Sequence, residues 1–146
     1  MKILVLNGPN LNLLGVREPT LYGSRTYGDL ERFIAQTAAD LGVEVEMRQT
    51  NHEGTLVDWI QEARGTFDAI VLNAAAYTHT SVAILDALKA VMIPTVEVHL
   101  TEPKNREEFR RVSYVGMVAE CTCSGRGFDS YADAMKYLVH KEKEAK

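Results

Sequence analysis

The sequence predicts an α/β sandwich, a parallel β-sheet with helices on both faces. Two observations predict it. Short apolar runs recur along the chain, and a helical pattern separates each from the next. Strands that alternate with helices pair in parallel, because each helix carries the chain back across the sheet.

The strands come first. Lys2–Leu6, Asp68–Leu72 and Thr95–His99 are brief runs rich in branched residues, the pattern of strands covered on both faces. Val43–Met47 alternates instead, which suits a half-buried strand at a sheet edge. Val118–Cys123 is a fifth and weaker candidate. The second strand at an edge of five gives the flavodoxin-like order 2-1-3-4-5, hence a three-layer sandwich.

The helices follow the 3.6-residue period. Leu30, Phe33, Ile34, Ala38 and Leu41 form one stripe, with Thr26 and Asp29 spaced as a capping box and Gly42 as its stop. Leu56, Val57, Ile60 and Ala63 form another, closed by Gly65. Val82, Leu85, Leu88, Lys89 and Met92 belong to a third, ended by Pro94. Ala132, Met135, Leu138 and Val139 mark a fourth, capped at Asp129 or Ser130. The segment 141–146 reads as a frayed helical tail. Neither repeat nor linker interrupts the pattern, so 1–146 reads as one catalytic domain, and 146 residues suffice for a real core.

Composition narrows the function. Sixteen basic against twenty acidic residues give a net charge of −4. Arg106, Arg110 and Arg111 are interleaved with Glu107 and Glu108, so there is no basic patch for nucleic acid. No apolar run approaches the ~20 residues of a membrane span, and no leader pattern opens the chain. A cytoplasmic location follows. Cys121 and Cys123 stand at i, i+2, a poor spacing for a disulfide, and read as packed thiols. None of the four histidines makes a zinc pattern, so no metal is expected.

Three apolar strands end in polar residues: Asn7, Asn73 and His99. All three fall on the carboxyl edge of the sheet, where this architecture binds ligands. The segment from Asn7 to Gly23 is long and apolar, as a lid over a ligand would be. It holds Arg17 and Tyr22. A free tyrosine ionises near pH 10, so only on the order of one in a thousand is phenolate at neutral pH. A guanidinium beside it favours the phenolate. The loop is neither a dinucleotide fingerprint nor a phosphate loop. His79-Thr-Ser81 is no nucleophile elbow, and Ser81 reads as a helix start. No lysine at a strand end suggests Schiff-base chemistry. A non-catalytic flavin- or nucleotide-binding module is the rival reading, and a structural oligomer a third. Pro9 and the lack of consecutive glycines or hydroxyls argue against the first rival.

Together these residues resemble the type II 3-dehydroquinate dehydratases over nearly the whole chain. The resemblance rests on Leu6-Asn-Gly-Pro-Asn-Leu-Asn-Leu-Leu-Gly15, Arg17-Glu-Pro19 and Tyr22-Gly23. It continues through Asn51-His-Glu-Gly54, Asn73, Tyr77-Thr-His-Thr-Ser81 and Glu97-Val-His-Leu100. It ends with Arg106-Glu-Glu-Phe-Arg110 and Ser113-Tyr114. It implies the flavodoxin-like fold and anti elimination of water from 3-dehydroquinate through an enolate, in the shikimate pathway. No cofactor is implied. By the resemblance, Tyr22 is the base, Arg17 keeps it ionised, and Asn10 helps stabilise the enolate. His99 is the acid, oriented by Glu97. Asn73, His79 and Arg110 would bind substrate hydroxyls, and backbone N–H groups of Leu100 and Thr101 its carboxylate. The family forms a homo-oligomer, a dodecamer of trimers, in which Asp86 reaches a neighbour's site. The chain departs from the common pattern at Ala74-Ala75, Thr101, Glu102 and Arg126. Glu102 would set a negative charge beside the carboxylate and is expected to point away.

Overall fold

In the computed structural model, residues 1–16 and 24–145 are described, and they build a five-stranded parallel sheet. The strands are β1 (Lys2–Asn7), β2 (Glu44–Gln49), β3 (Ala69–Asn73), β4 (Thr95–His99) and β5 (Cys121–Ser124). Their order is β2-β1-β3-β4-β5, and every neighbouring pair is parallel. The order is the expected one. β2 is an edge strand and nowhere fully buried, whereas β1, β3 and β4 are buried almost throughout.

Helices α1 (Tyr27–Leu41) and α4 (Asp129–Ala145) cover one face, and α2 (Glu53–Glu62) and α3 (Val82–Val91) the other. Strand alternation assigns the faces. Ile3, Val5, Ala69, Val71, Val96 and Val98 pack with Leu30, Ile34, Met135 and Leu138. Leu4, Leu6, Ile70 and Leu72 pack with Leu56, Ile60, Ile84 and Leu88. Two cores thus sandwich one sheet. No described helix is long and apolar enough to cross a membrane.

Several caps match the sequence signals, but Met92 is the left-handed C-cap of α3 rather than part of it, and α2 ends at Glu62, before Gly65. Thr26 Oγ1 accepts from the Asp29 N–H at 3.1 Å, and Asp29 returns the bond to the Thr26 N–H at 2.8 Å. Gly42 closes α1 at φ 71°, a left-handed conformation that glycine adopts without a Cβ clash. Ser81 starts α3 by accepting from the Ile84 N–H at 2.9 Å, as a helix start should.

The fifth strand needs a correction. It begins at Cys121, not at Val118. Val118 instead finishes a 3-10 turn, Val115–Met117, and its N–H bonds Val115 O at 3.1 Å. Val118 and Ala119 pack on the α2–α3 core, so their apolar character serves a turn rather than a strand.

One glycine is compelled by packing. A Cβ on Gly8 would lie 2.5 Å from Ala74 O, where the loops after β1 and β3 touch backbone to backbone. Gly8→Ala should therefore destabilise the fold by about 1–3 kcal/mol, the usual cost of overpacking a close-packed site. Urea unfolding measures this, and an unchanged midpoint would show that the loops are free to part.

Candidate active site

The carboxyl edges of β1, β3 and β4 converge on one cleft. Pro9, Asn10, Leu11, Leu14, Asn73, Ala75, Ala76 and His79 line it. So do His99, Leu100, Thr101, Pro103, Arg106 and Arg110. Of the eleven residues anticipated from sequence, Asn10, Asn73, His79, His99, Leu100, Thr101 and Arg110 therefore meet here. Glu97 stands directly behind His99. Asp86 does not line the cleft; it is exposed on α3. Arg17 and Tyr22 lie outside the described residues.

β4 supplies the ionisable pair. Glu97 and His99 are two apart on a strand and so share a face. His99 Nε2 lies 2.6 Å from Glu97 Oε2. The same carboxylate accepts from Ser113 Oγ at 2.6 Å and, through Oε1, from Thr122 Oγ1 at 2.8 Å. Glu97 is 2% exposed. Burial alone would push its carboxyl up, but the hydrogen bond and charge of His99, with the two hydroxyls, outweigh it and hold the group below 4.5. Glu97 is thus a carboxylate at neutral pH. It takes the Nε2 proton of His99 as a hydrogen bond, which leaves Nδ1 as the ring nitrogen not engaged by Glu97.

His79 has the opposite character. Its Nδ1 is 2.7 Å from Val112 O. A carbonyl can only accept, so Nδ1 carries the proton and Nε2 is an acceptor in the neutral ring. Burial lowers its tendency to protonate, against the Val112 bond, and the charges of His99 and Arg110 lower it further. The two imidazoles stack with centroids 6.5 Å apart. A neutral acceptor beside an acid–carboxylate pair can hold a substrate hydroxyl while the other ring moves a proton.

The floor of the cleft is tied down by hydrogen bonds and buried leucines. The segment after β1 turns at Asn10, at φ 70°, where its N–H bonds Asn51 Oδ1 at 3.0 Å. Gln49 Nε2 reaches the same Asn51 oxygen at 3.1 Å and Gly8 O at 3.1 Å. Leu11 and Leu14 are buried in the α1–α4 core, so the first half of the Asn7–Gly23 segment is anchored. Asn73 and Asn7, at adjacent strand ends, both bond the hydroxyl of Tyr131 on α4.

Glu102 is not among the residues lining the cleft; its Oε2 accepts from Ser124 Oγ at 2.6 Å, and it lines an adjoining cavity that His79, Glu97 and His99 also border. Arg110 reaches both spaces and pairs with Glu107. Sequence reasoning did not anticipate Ser113, Thr122 or Tyr131 as partners of the site. The signal for the first two was the acid in an apolar strand, which must find donors when buried. Among the described residues no group of three or more His, Cys, Asp or Glu could hold a metal ion.

Residues 1–139 match the model of the family described as dehydroquinase class II. A protein of Geotalea daltonii named 3-dehydroquinate dehydratase is 53% identical over 144 residues, covering 99% of this chain and all of that one. One of the same name from Phenylobacterium zucineum is 56% identical over 134 residues, 92% of each chain. The crystal structure of the type II dehydroquinase from Butyrivibrio crossotus superposes with a TM-score of 0.93 at 46% identity, covering 94% of this chain and 97% of that one.

Proposed function

The chain belongs to the class II dehydroquinase family, and we propose that it dehydrates 3-dehydroquinate to 3-dehydroshikimate with a tyrosinate base and a histidine acid, as a step of the shikimate pathway. The observation that carries the acid assignment is the His99–Glu97 pair at 2.6 Å, buried and set at the edge of the cleft. The carboxylate fixes the ring by accepting its Nε2 proton, so the imidazole is held in one orientation at the edge of the cleft.

The reaction then runs in two proton transfers. The Tyr22 phenolate, held ionised by Arg17, takes a proton from the carbon next to the ketone. The electron pair moves into an enolate, which the Asn10 side stabilises. His99 gives its proton to the departing hydroxyl, water leaves, and the new double bond conjugates with the ketone. Each transfer is general acid–base catalysis of the kind that contributes ~10²–10⁴-fold. Asn73, His79 and Arg110 hold the substrate, and the backbone of Leu100 and Thr101 its carboxylate. The mechanism needs no metal, cofactor or covalent intermediate.

Asp86 acts on a neighbouring subunit in this reading. Its exposure on α3, beside the half-exposed Val82, supports an assembly in which that helix meets another copy.

The test is direct. Purified protein mixed with 3-dehydroquinate should develop the absorbance of a conjugated enone, with or without a chelator and after borohydride treatment. No product at high protein concentration would sink the proposal. The base has a separate signature. Burial lifts Tyr27 to about 12 and raises Tyr131 as well. An ultraviolet titration should show one of the six tyrosines ionising well below the ordinary value near 10, and that step should vanish in Tyr22→Phe. An identical titration in the variant refutes the base assignment.

A further inference from the structure

The polar groups between β1 and β3 form a chain whose direction one backbone group decides. The Ala75 N–H can only donate, and its partner is Asn73 Oδ1 at 3.2 Å. Asn73 Nδ2 therefore faces the other way, toward Tyr131 Oη at 2.9 Å. That oxygen accepts, so its own single proton goes to Asn7 Oδ1 at 2.6 Å. Asn7 Nδ2 is left facing Tyr27 Oη at 3.4 Å. Every orientation in the series follows from the first.

Tyr131 is the hinge of this series. It is 0% exposed, so its hydroxyl cannot exchange these partners for solvent. Burial pushes the phenol above its ordinary value, so the O–H proton stays in place through the working pH range. Asn73 is 4% exposed and lines the cleft. Its Nδ2 carries two hydrogens, and Tyr131 takes one. The amide oxygen already accepts from the Ala75 N–H, and the second N–H is the donor that the side chain offers a ligand.

We propose that Tyr131 is a positioning residue for substrate binding: the Ala75 N–H sets which way the Asn73 amide faces, and Tyr131 holds its NH2 end in place so that one N–H is left for a substrate hydroxyl oxygen in the cleft. The inference rests on the reading of Asn73 as a substrate-binding residue. Ala75 reinforces it. It holds a left-handed φ of 52° without being glycine, and this conformation aims its N–H at Asn73 Oδ1. The lock acts equally on bound substrate and transition state, since the hydroxyl held by Asn73 takes no part in the bond changes. Its loss should therefore appear in KM and not in kcat.

The experiment is steady-state kinetics with 3-dehydroquinate on wild type, Tyr131→Phe, Asn73→Ala and the double variant. Tyr131→Phe removes one oxygen atom. It should raise KM roughly 3- to 10-fold, the equivalent of one directed hydrogen bond, with kcat within about twofold. In the Asn73→Ala background the same change should add nothing, because Tyr131 acts through Asn73. Asn7→Ala frees the Tyr131 proton and should raise KM in the same sense by a smaller factor; it serves if Tyr131→Phe does not fold. A raised KM in Asn73→Ala with an unchanged KM in the Tyr131 or Asn7 variant overturns the inference alone. Independent, multiplying effects in the double variant do the same. A wild-type KM in Asn73→Ala overturns the reading of Asn73 and the inference with it.

Discussion

Replacing His99 by Ala should lower kcat by a factor of ~10²–10⁴, the range expected when a positioned general acid is lost. KM should move far less, because in the proposed mechanism the proton passes to the leaving hydroxyl in the transition state and not in the ground state. The structure makes this separation testable. His99 is nearly buried, and its Nε2 is committed to Glu97, so the ring is fixed in place. Removing it leaves a ring-sized gap beside Leu100 and Thr101 that exogenous imidazole fits. Imidazole should restore part of the rate to His99→Ala and none to a variant with the ring intact. A His99→Ala protein with wild-type kcat would end the case for His99 as the acid.

Glu97→Ala should cost both stability and rate. The substitution strands three donors at once: His99, Ser113 and Thr122 all give a hydrogen bond to this carboxylate. Stripping the acceptor from such a buried set typically costs about 3–5 kcal/mol. In a chain of this size that is on the order of 10 °C in the melting temperature. The pH dependence has a definite sign. The folded protein holds Glu97 below its ordinary 4.5, so the stability due to that shift is complete above about 4.5. It is lost as pH falls through the lower folded value. His79 is shifted the same way from 6.5, so its contribution fades first, on the acid side of that value. Wild type minus Glu97→Ala should therefore be flat above pH ~5 and shrink below it. A difference that persists unchanged into acid would show that Glu97 is not ionised in the fold. The rate loss has a second cause, because an unanchored ring no longer presents its proton in one direction.

Much of this was legible in the sequence, and the reasons are physical. Strands buried on two faces must be continuously apolar, so β1, β3 and β4 were visible with their polar ends. The pairing of Glu97 with His99 came from the family resemblance, and strand geometry agrees with it, since residues at i, i+2 share a side. The start of β5 was not readable, since Val118 and Ala119 are apolar for the sake of a turn that only packing reveals. Tyr131 was invisible for a different reason. It sits one position before the apolar stripe of α4, and periodicity reports its ring but not its hydroxyl. Ser113 and Thr122 come from segments far from Glu97 in sequence, and no spacing rule brings them to it.

The backbone contact at Gly8 carries a consequence for how the molecule is made. Its N–H bonds Asn73 O at 2.8 Å, which joins two strands that are neighbours in space but not in order, with β2 lying between them in the sequence. Such pairings are late and slow to form, because loop-closure entropy is spent before they stabilise anything. Asn7, Asn73 and His99 belong to three different strands, so no local fragment of the chain assembles the whole cleft. On refolding, catalytic activity should return only with the last, global phase, well after helical signal has recovered.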